Sequence, residues 1–221
     1  MLFRSDVLES NEKQPSDLRI VPMADLFNHA ADAEIDLLYD EYGNLYAQSN
    51  RDVPAGSPLR TSYGDPTNPS YLFARYGFVD DSSPATFCKI MIPHVNSQLE
   101  DVGYAHNRML FYKDTGEVSE EVWDVLLFQI LSSSNAAKKK EFYTAHMNGD
   151  YETKQRYHEQ YWPETSAKLL RHLDTLLSQV EDISTKAYEQ DINLHPRLPL
   201  IMKHNDFVRD TFLAVKSRYF E

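Results

Sequence analysis

The side chains best placed to do chemistry lie between Val21 and Val79. The string VPMADLFNHA sets a carboxylate, an amide and an imidazole within five residues, at Asp25, Asn28 and His29. The string TSYGDPTNPSYLFARYGFV follows. In it Tyr63 and Tyr76 each precede a glycine, Ser62 adjoins the first tyrosine and Phe78 lies just beyond the second. Amide, hydroxyl and phenol groups orient a polar ligand by donating and accepting hydrogen bonds, and aromatic faces attract a cation. Other chemistries find little footing. The 8 histidines show no metal spacing such as HExxH, and no glycine loop suits a phosphate. The one cysteine, Cys88, allows neither an internal disulfide nor a Cys-rich zinc cluster, so no metal site is expected. Taken singly, each of these side chains reads as structural; the information is in their joint order.

The elements that must position them follow from periodicity and turn residues. Residues 5–17 are polar and read as a surface loop. Ile35, Leu37 and Tyr39 alternate with other residues, as do residues 45–48, which predicts two strands. Gly43 and Asn44 between them suit a hairpin turn, because both tolerate positive φ. Residues 53–56, VPAG, predict a tight turn with Pro54 at its second position, and a third strand over 59–62 follows. A short helix then has clear punctuation. Asn68 can cap it, Pro69 fits its first position and Gly77 can end it. Tyr63 therefore ends a strand, and Tyr76 ends a helix about two turns long.

Residues 87–92 and 109–112 read as further strands, after which the pattern turns helical. Residues 120–131 are apolar on most faces and should be buried. Residues 136–147 carry Lys138, Lys139 and Lys140, read as a solvated face. Residues 163–188 place Leu169, Leu173, Leu176, Val180, Ile183 and Ala187 at alternating steps of four and three, a long helix with one apolar seam. LHPRLP at 194–199 breaks it, and a last helix repeats the pattern with Val208, Phe212, Val215 and Tyr219. The fold class is α+β: a β-rich first third, then a mostly helical remainder, with the boundary in the DDSSP string at 80–84.

Composition sets outer bounds. The chain has 221 residues, 42% of them hydrophobic, with 14 tyrosines and 11 phenylalanines, which is enough for a real core. Its formal net charge of −12 makes nucleic acid a poor partner and a basic protein segment a better electrostatic match. No stretch approaches the ~20 apolar residues of a membrane span, and the N-terminus lacks the apolar run of a signal peptide. The expectation is an intracellular protein with no membrane association, in the cytoplasm first, with plastid or nucleus open, and with its oligomeric state open.

The joint order of these motifs resembles the C-terminal half of a SET domain: PMADxxNH, a hairpin, a PAG turn, a YG, an Asn-headed helix, then YGF. It is most similar to the branch that includes the Rubisco large-subunit methyltransferase. The likeness covers roughly residues 18 to 80. The longer NHxxxPN form of many histone-directed SET domains is missing, since AADAEID follows His29. The resemblance implies a partial, β-rich SET fold (β-clip) over residues 1–80. Residues 85–221 are similar, in order and composition, to the helical substrate-binding domain of that branch. It further implies an S-adenosylmethionine-dependent protein-lysine N-methyltransferase acting on a non-histone protein. In that reading Asn28 (side chain) and His29 (backbone) hold the cofactor, and Tyr63 is the catalytic tyrosine near the transferring methyl. Asp25, Ser62, Tyr76 and Phe78 line the substrate-lysine channel. Tyr39 lies near a further channel tyrosine, with a preceding loop of different length.

Methyl transfer from a sulfonium to an amine is an in-line displacement, so positioning is its main lever. The lysine must also be neutral, which costs roughly 4–5 kcal/mol at pH 7 from a reference pKa of ~10.4. Burial in an aromatic channel beside a sulfonium supplies part of that. Tyr63 is read as an orienting group rather than a base, its own reference pKa being ~10.

SET domains of this branch begin with a GxG-like segment that wraps the cofactor. None of the 7 glycines here precedes the NH motif, and no two are spaced by one residue. Phe3-Arg4-Ser5 offers only a faint match to the family's Ser-Arg-x-Phe-like string. The front half of the catalytic domain is therefore expected to be absent, in a fragment or a shortened relative. This chain alone is expected to bind cofactor weakly, to turn over little and to expose β edges. The alternatives are a non-catalytic protein-binding module built on the helical region and a protein-histidine methyltransferase.

Overall fold

Residues 21–64, 69–92 and 94–221 are described by the computed structural model, together with the backbone of 3–4 and 18–19. The expected loop at 5–17, Ile20, the Ser5 part of the N-terminal string and the Asn68 cap lie outside the described residues. Secondary structure is mixed α and β, with helix predominating. The chain divides into two units, Met1–Asp65 and Pro66–Glu221, so residues 80–84 fall inside the second unit.

In the first unit, β1 (Phe3–Arg4) pairs antiparallel with β2 (Leu18–Arg19). A second sheet holds β3 (Asn28–His29), β4 (Ile35–Tyr39), β5 (Leu45–Ser49) and β6 (Arg60–Thr61) in the order β3-β6-β4-β5. β4 and β5 form the expected hairpin, with Ile35 opposite Ser49 and Tyr39 opposite Leu45. Its turn differs from the expectation in mechanism. Gly43 takes a φ of 80°, but Asn44 does not adopt positive φ. Asn44 instead donates from its backbone (2.8 Å) and its amide (2.9 Å) to the Asp40 carboxylate. These bonds, the Asn44 amide's first among them, hold the Asp40 carboxyl below its ordinary range. The next turn is shifted by one residue. Ser57 N–H donates to the Pro54 carbonyl, so Pro54 is first in the turn and Gly56, at φ 85°, takes the third position as a type II turn requires.

Among the described residues of this unit few apolar side chains are buried; Ala24 and Ile35 are, while Leu26, Leu38 and Leu59 are exposed. A carboxylate does much of the holding. Glu34 is 6% exposed and is gripped by Arg60 through Nε (3.2 Å) and Nη2, while the Arg60 backbone N–H adds a third contact at 3.2 Å. Arg51 reaches the same carboxylate at 3.1 Å and also Asp32 at 2.6 Å. The forked guanidinium matches the two carboxylate oxygens, which gives such pairs their geometric specificity. Glu34 thereby ties the entry to β4 to the exit from β5 and to β6.

The second unit begins with α1 (Pro69–Tyr76), bounded by Pro69 and by Gly77 at φ 74°. The antiparallel strands β7 (Ala85–Phe87) and β8 (Leu110–Tyr112) flank α2 (Ser97–Asp101). The expected strand over 87–92 is shorter and earlier, although Cys88 N–H still bonds the Met109 carbonyl at 2.8 Å. Five helices follow: α3 (Glu120–Ser134), α4 (Ala136–Asn148), α5 (Tyr151–Gln160), α6 (Trp162–Tyr188) and α7 (Leu198–Phe220). One continuous core runs through them, including Val122, Leu126, Leu127, Phe142, Leu169 and Val215. In α6 the inward positions are Thr165, Leu169, Leu173, Val180, Ser184 and Ala187. Ser184 replaces Ile183, which is 48% exposed, because four residues beyond Val180 continues the inward face. The lysine run of α4 is not a purely solvated face. Lys138 bonds the Tyr161 hydroxyl at 2.9 Å, and Lys139 sits 4.9 Å from the Phe128 ring centre. Only Lys140 is exposed among the three.

Against this core lies a second buried acid. Asp124 on α3 is 1% exposed and meets Lys154 (2.8 Å) and His158 (2.8 Å) from α5, with His146 of α4 at 3.5 Å. Burial alone would raise the Asp124 pKa, but hydrogen bonds from His158 and Lys154 outweigh it and hold the carboxyl low. Burial pulls Lys154 down, yet its bonds to Asp124 and Glu120 win and keep it raised.

Candidate functional site

Parallel pairing builds the site of the first unit. β3 lies beside β6 with Asn28 opposite Arg60 and His29 opposite Thr61, and Ala30 N–H bonds the Thr61 carbonyl at 3.2 Å. Two residues beyond Thr61 the chain brings Tyr63 back against His29. The Tyr63 backbone N–H donates to His29 Nδ1 at 3.1 Å, which fixes the acceptor nitrogen of the imidazole. The two rings lie 5.4 Å apart at 44°. The Tyr63 phenol donates to the Phe27 carbonyl at 2.6 Å. Burial, and then the negative charge of Asp25, push the Tyr63 pKa up, so the phenol keeps its proton at neutral pH. With its proton donated to the Phe27 carbonyl, the phenol oxygen can otherwise act only as an acceptor.

Asp25 sits in a 3-10 turn, Ala24–Leu26, that opens at Met23. Met23 takes φ 70°, an uncommon backbone state for a residue with a side chain. Ser62 directs its hydroxyl to the Gly64 carbonyl at 2.6 Å. Asn28 is exposed on an edge strand, its side chain in no hydrogen bond among the described residues.

The structure thus brings His29 and Tyr63 together, with Asp25 close enough to act on the phenol, Ser62 on the same segment and Asn28 next to His29 along β3. It does not bring Tyr39 to them. Tyr39 ends β4 at the hairpin, joined to none of these residues by a hydrogen bond or ring contact, and its hydroxyl is buried without a hydrogen-bond partner.

Tyr76 and Phe78 belong to the second unit, where their rings lie 6.3 Å apart. Tyr71 meets Tyr76 edge-on at 6.5 Å. A cation already occupies this aromatic group: the Arg75 guanidinium stands 5.7 Å from both the Tyr71 and Tyr76 ring centres and bonds the Tyr71 hydroxyl at 2.7 Å. The segment is anchored to α7. His204 stacks on Phe73 at 4.6 Å and bonds the Ser70 hydroxyl at 2.9 Å, and Lys203 pairs with Asp81 at 2.6 Å.

Arg75 could have been found from its place one residue before Tyr76 and four after Tyr71, a spacing that shares a helix face. Glu34 and its arginines carried no local signal, since the partners come from three separate segments. Among the described residues no group of three or more His, Cys, Asp or Glu could hold a metal ion, and no helix is long and apolar enough to cross a membrane. No protein-family model, no curated protein and no solved structure matches this chain.

Proposed function

We propose that the first unit forms one wall of an S-adenosylmethionine-dependent protein-lysine N-methyltransferase directed at a non-histone protein. The observation that carries this reading is the β3–β6 pairing, which sets His29 against Tyr63 while Asn28, the preceding residue of β3, stays exposed. The residues present fit part of the cofactor's needs. Asn28 offers an amide that makes no hydrogen bond among the described residues, on a strand at the edge of its described sheet. The cofactor, when bound, supplies an electrophilic methyl group on a sulfonium.

The rest falls to the chain. His29 is held in one orientation by the Tyr63 N–H. Tyr63 accepts a hydrogen bond from the incoming amine and so aims its lone pair; it is not the base, because its pKa is raised. Tyr76 and Phe78, with Arg75 as a present-day cation on the tyrosine face, display the ring chemistry that holds an ammonium. No two glycines in the chain are spaced by one residue, so the GxG cradle is lacking and cofactor binding by this chain alone is weak.

Titration of S-adenosylmethionine into the isotopically labelled chain tests this. Saturable shifts are expected at the amides of 28–30 and 60–63, with a dissociation constant above about 100 µM. Asn28→Ala, which removes no side-chain hydrogen bond among the described residues, should weaken binding about tenfold. Amides that stay unmoved at millimolar cofactor sink the site. Micromolar affinity overturns the claim that the cradle is lacking.

A further inference from the structure

A trough of about 770 Å³ opens in the second unit, where α6, α3, the start of α4 and the segment after β7 meet. Its volume is that of a ligand site rather than a packing defect. Four cations line it, Lys89, Lys139, Lys168 and Arg171, and no aspartate or glutamate does. In a chain of net charge −12 such a concentration of positive charge runs against the average. None of the four forms an ion pair among the described residues. Lys168 and Arg171 stand at i and i+3 on α6, a like-charge spacing that costs helix stability. Burial, and then the Arg171 charge, lower the Lys168 pKa, which an anion seated between them would reverse.

The trough is also long and apolar-floored. Along α6 it takes one face, Lys168, Arg171, His172, Thr175, Leu176 and Gln179, which spans about 16 Å of helix. Leu99, Leu126 and Phe128 form its floor. His172 adds a polar atom, since its Nε2 is buried with no hydrogen-bond partner among the described residues. A compact ion would use one end of this surface and leave the floor idle. A long polyanion would extend past the cations onto an acidic protein. At the ~8 Å Debye length of physiological salt, only an anion seated within the trough feels chiefly its four cations.

We propose that this trough binds an acidic peptide segment of a partner protein, with apolar side chains between its carboxylates. The carboxylates meet Lys89, Lys168 and Arg171, and the apolar side chains pack on Leu126, Phe128 and Leu176. An extended segment of about five residues spans the α6 face. Charge gives such a contact its selectivity, and the floor gives it anchoring. This proposal does not depend on methyl transfer.

Fluorescence anisotropy with the full chain tests it. The probe is a labelled peptide of about ten residues, twice the span above, in which Asp and Glu alternate with Leu and Phe. A control peptide carries Asn and Gln in place of the acids. The acidic peptide should bind saturably and more weakly as salt rises. Its affinity should fall about tenfold or more in the Lys168→Glu/Arg171→Glu double variant. The milder Lys168→Gln/Arg171→Gln variant should lose less, and it keeps the test decisive if charge reversal lowers helicity by circular dichroism. Any of four results overturns the proposal: no saturation at millimolar peptide, equal binding of the neutral peptide, unchanged binding by both variants, or displacement by inorganic phosphate or a single-stranded oligonucleotide at lower concentration than by unlabelled peptide.

Discussion

Glu34 in the first unit and Asp124 in the second are both nearly sealed from water; Glu34 is met by two arginines, Asp124 by Lys154 and the imidazole of His158. Their surroundings differ. Asp124 lies beside a continuous apolar core that would hold α3 to its neighbours by area alone. Among the described residues no such core surrounds Glu34, and its three bonds to Arg60 and one to Arg51 help join β4, β5 and β6. A buried ion pair seldom adds net stability over a well-packed apolar substitute. In the second unit such a substitute is conceivable, whereas in the first the arginines reach Glu34 from just after β5 and from β6 with side chains about 40% exposed, positions that apolar residues could not occupy without cost.

The sharpest way to break that contrast is Asp124→Ala. It leaves Lys154 without its buried partner and should cost about 3–5 kcal/mol, read from the urea midpoint of the helical signal. The paired replacement Asp124→Leu/Lys154→Met should recover most of the loss. If it does not, the ion pair is as indispensable to the second unit as Glu34 is to the first, and the contrast fails.

Glu34→Gln acts on the other side. Amide hydrogen exchange should accelerate at 34–36, 49–51 and 60–61 while the helices of 120–220 keep their protection. Acid sharpens this. Hydrogen bonding from Arg60 first, then Arg51, lowers the Glu34 pKa from 4.5 to about 2. A lowered carboxylate stabilises the fold fully above its unfolded value, and that contribution is lost as pH falls through the folded one. Protection of the first unit should therefore decline between pH 4.5 and about 2 in the wild-type chain, and show no such step in Glu34→Gln.

The smallest effect is expected at Met23. Its positive φ carries strain of the order of 1–3 kcal/mol, and its side chain is 77% exposed. Met23→Gly relieves the strain at the cost of unfolded-state entropy, for a net gain of about 0.5–1 kcal/mol. A loss of stability instead would mean that the exposed Met23 side chain, not the sheet clamp, steadies the turn bearing Asp25.

What the sequence disclosed and what it hid follow the same division. α1 was legible because Pro69 and Gly77 mark its ends locally. α6 was legible because apolar residues recur along 27 residues of helix. α5 was not. YETKQRYHEQ has almost no apolar period, and its inward residues are Lys154 and Tyr157, whose burial depends on Asp124 and Glu141 from other helices. Lys138 and Lys139 were misread for a related reason, their aromatic partners lying on α3 and just before α6. Within the candidate site, Asn28, His29 and Tyr63 could be picked out by motif order. Nothing in one dimension could show that the Tyr63 N–H, rather than its hydroxyl, is what engages the imidazole.

The side-by-side run of β3 and β6 has a kinetic consequence. Asn28 finds Arg60 only once the β4–β5 hairpin, which intervenes in sequence and lies beyond β6 in the sheet, has been looped out, so this contact pays a loop-closure cost that the hairpin itself avoids. The imidazole–tyrosine junction should then be among the last features of the first unit to assemble and among the first to open. A ligand that clamps it would show itself as slower local opening, well before any change in the melting of the helices.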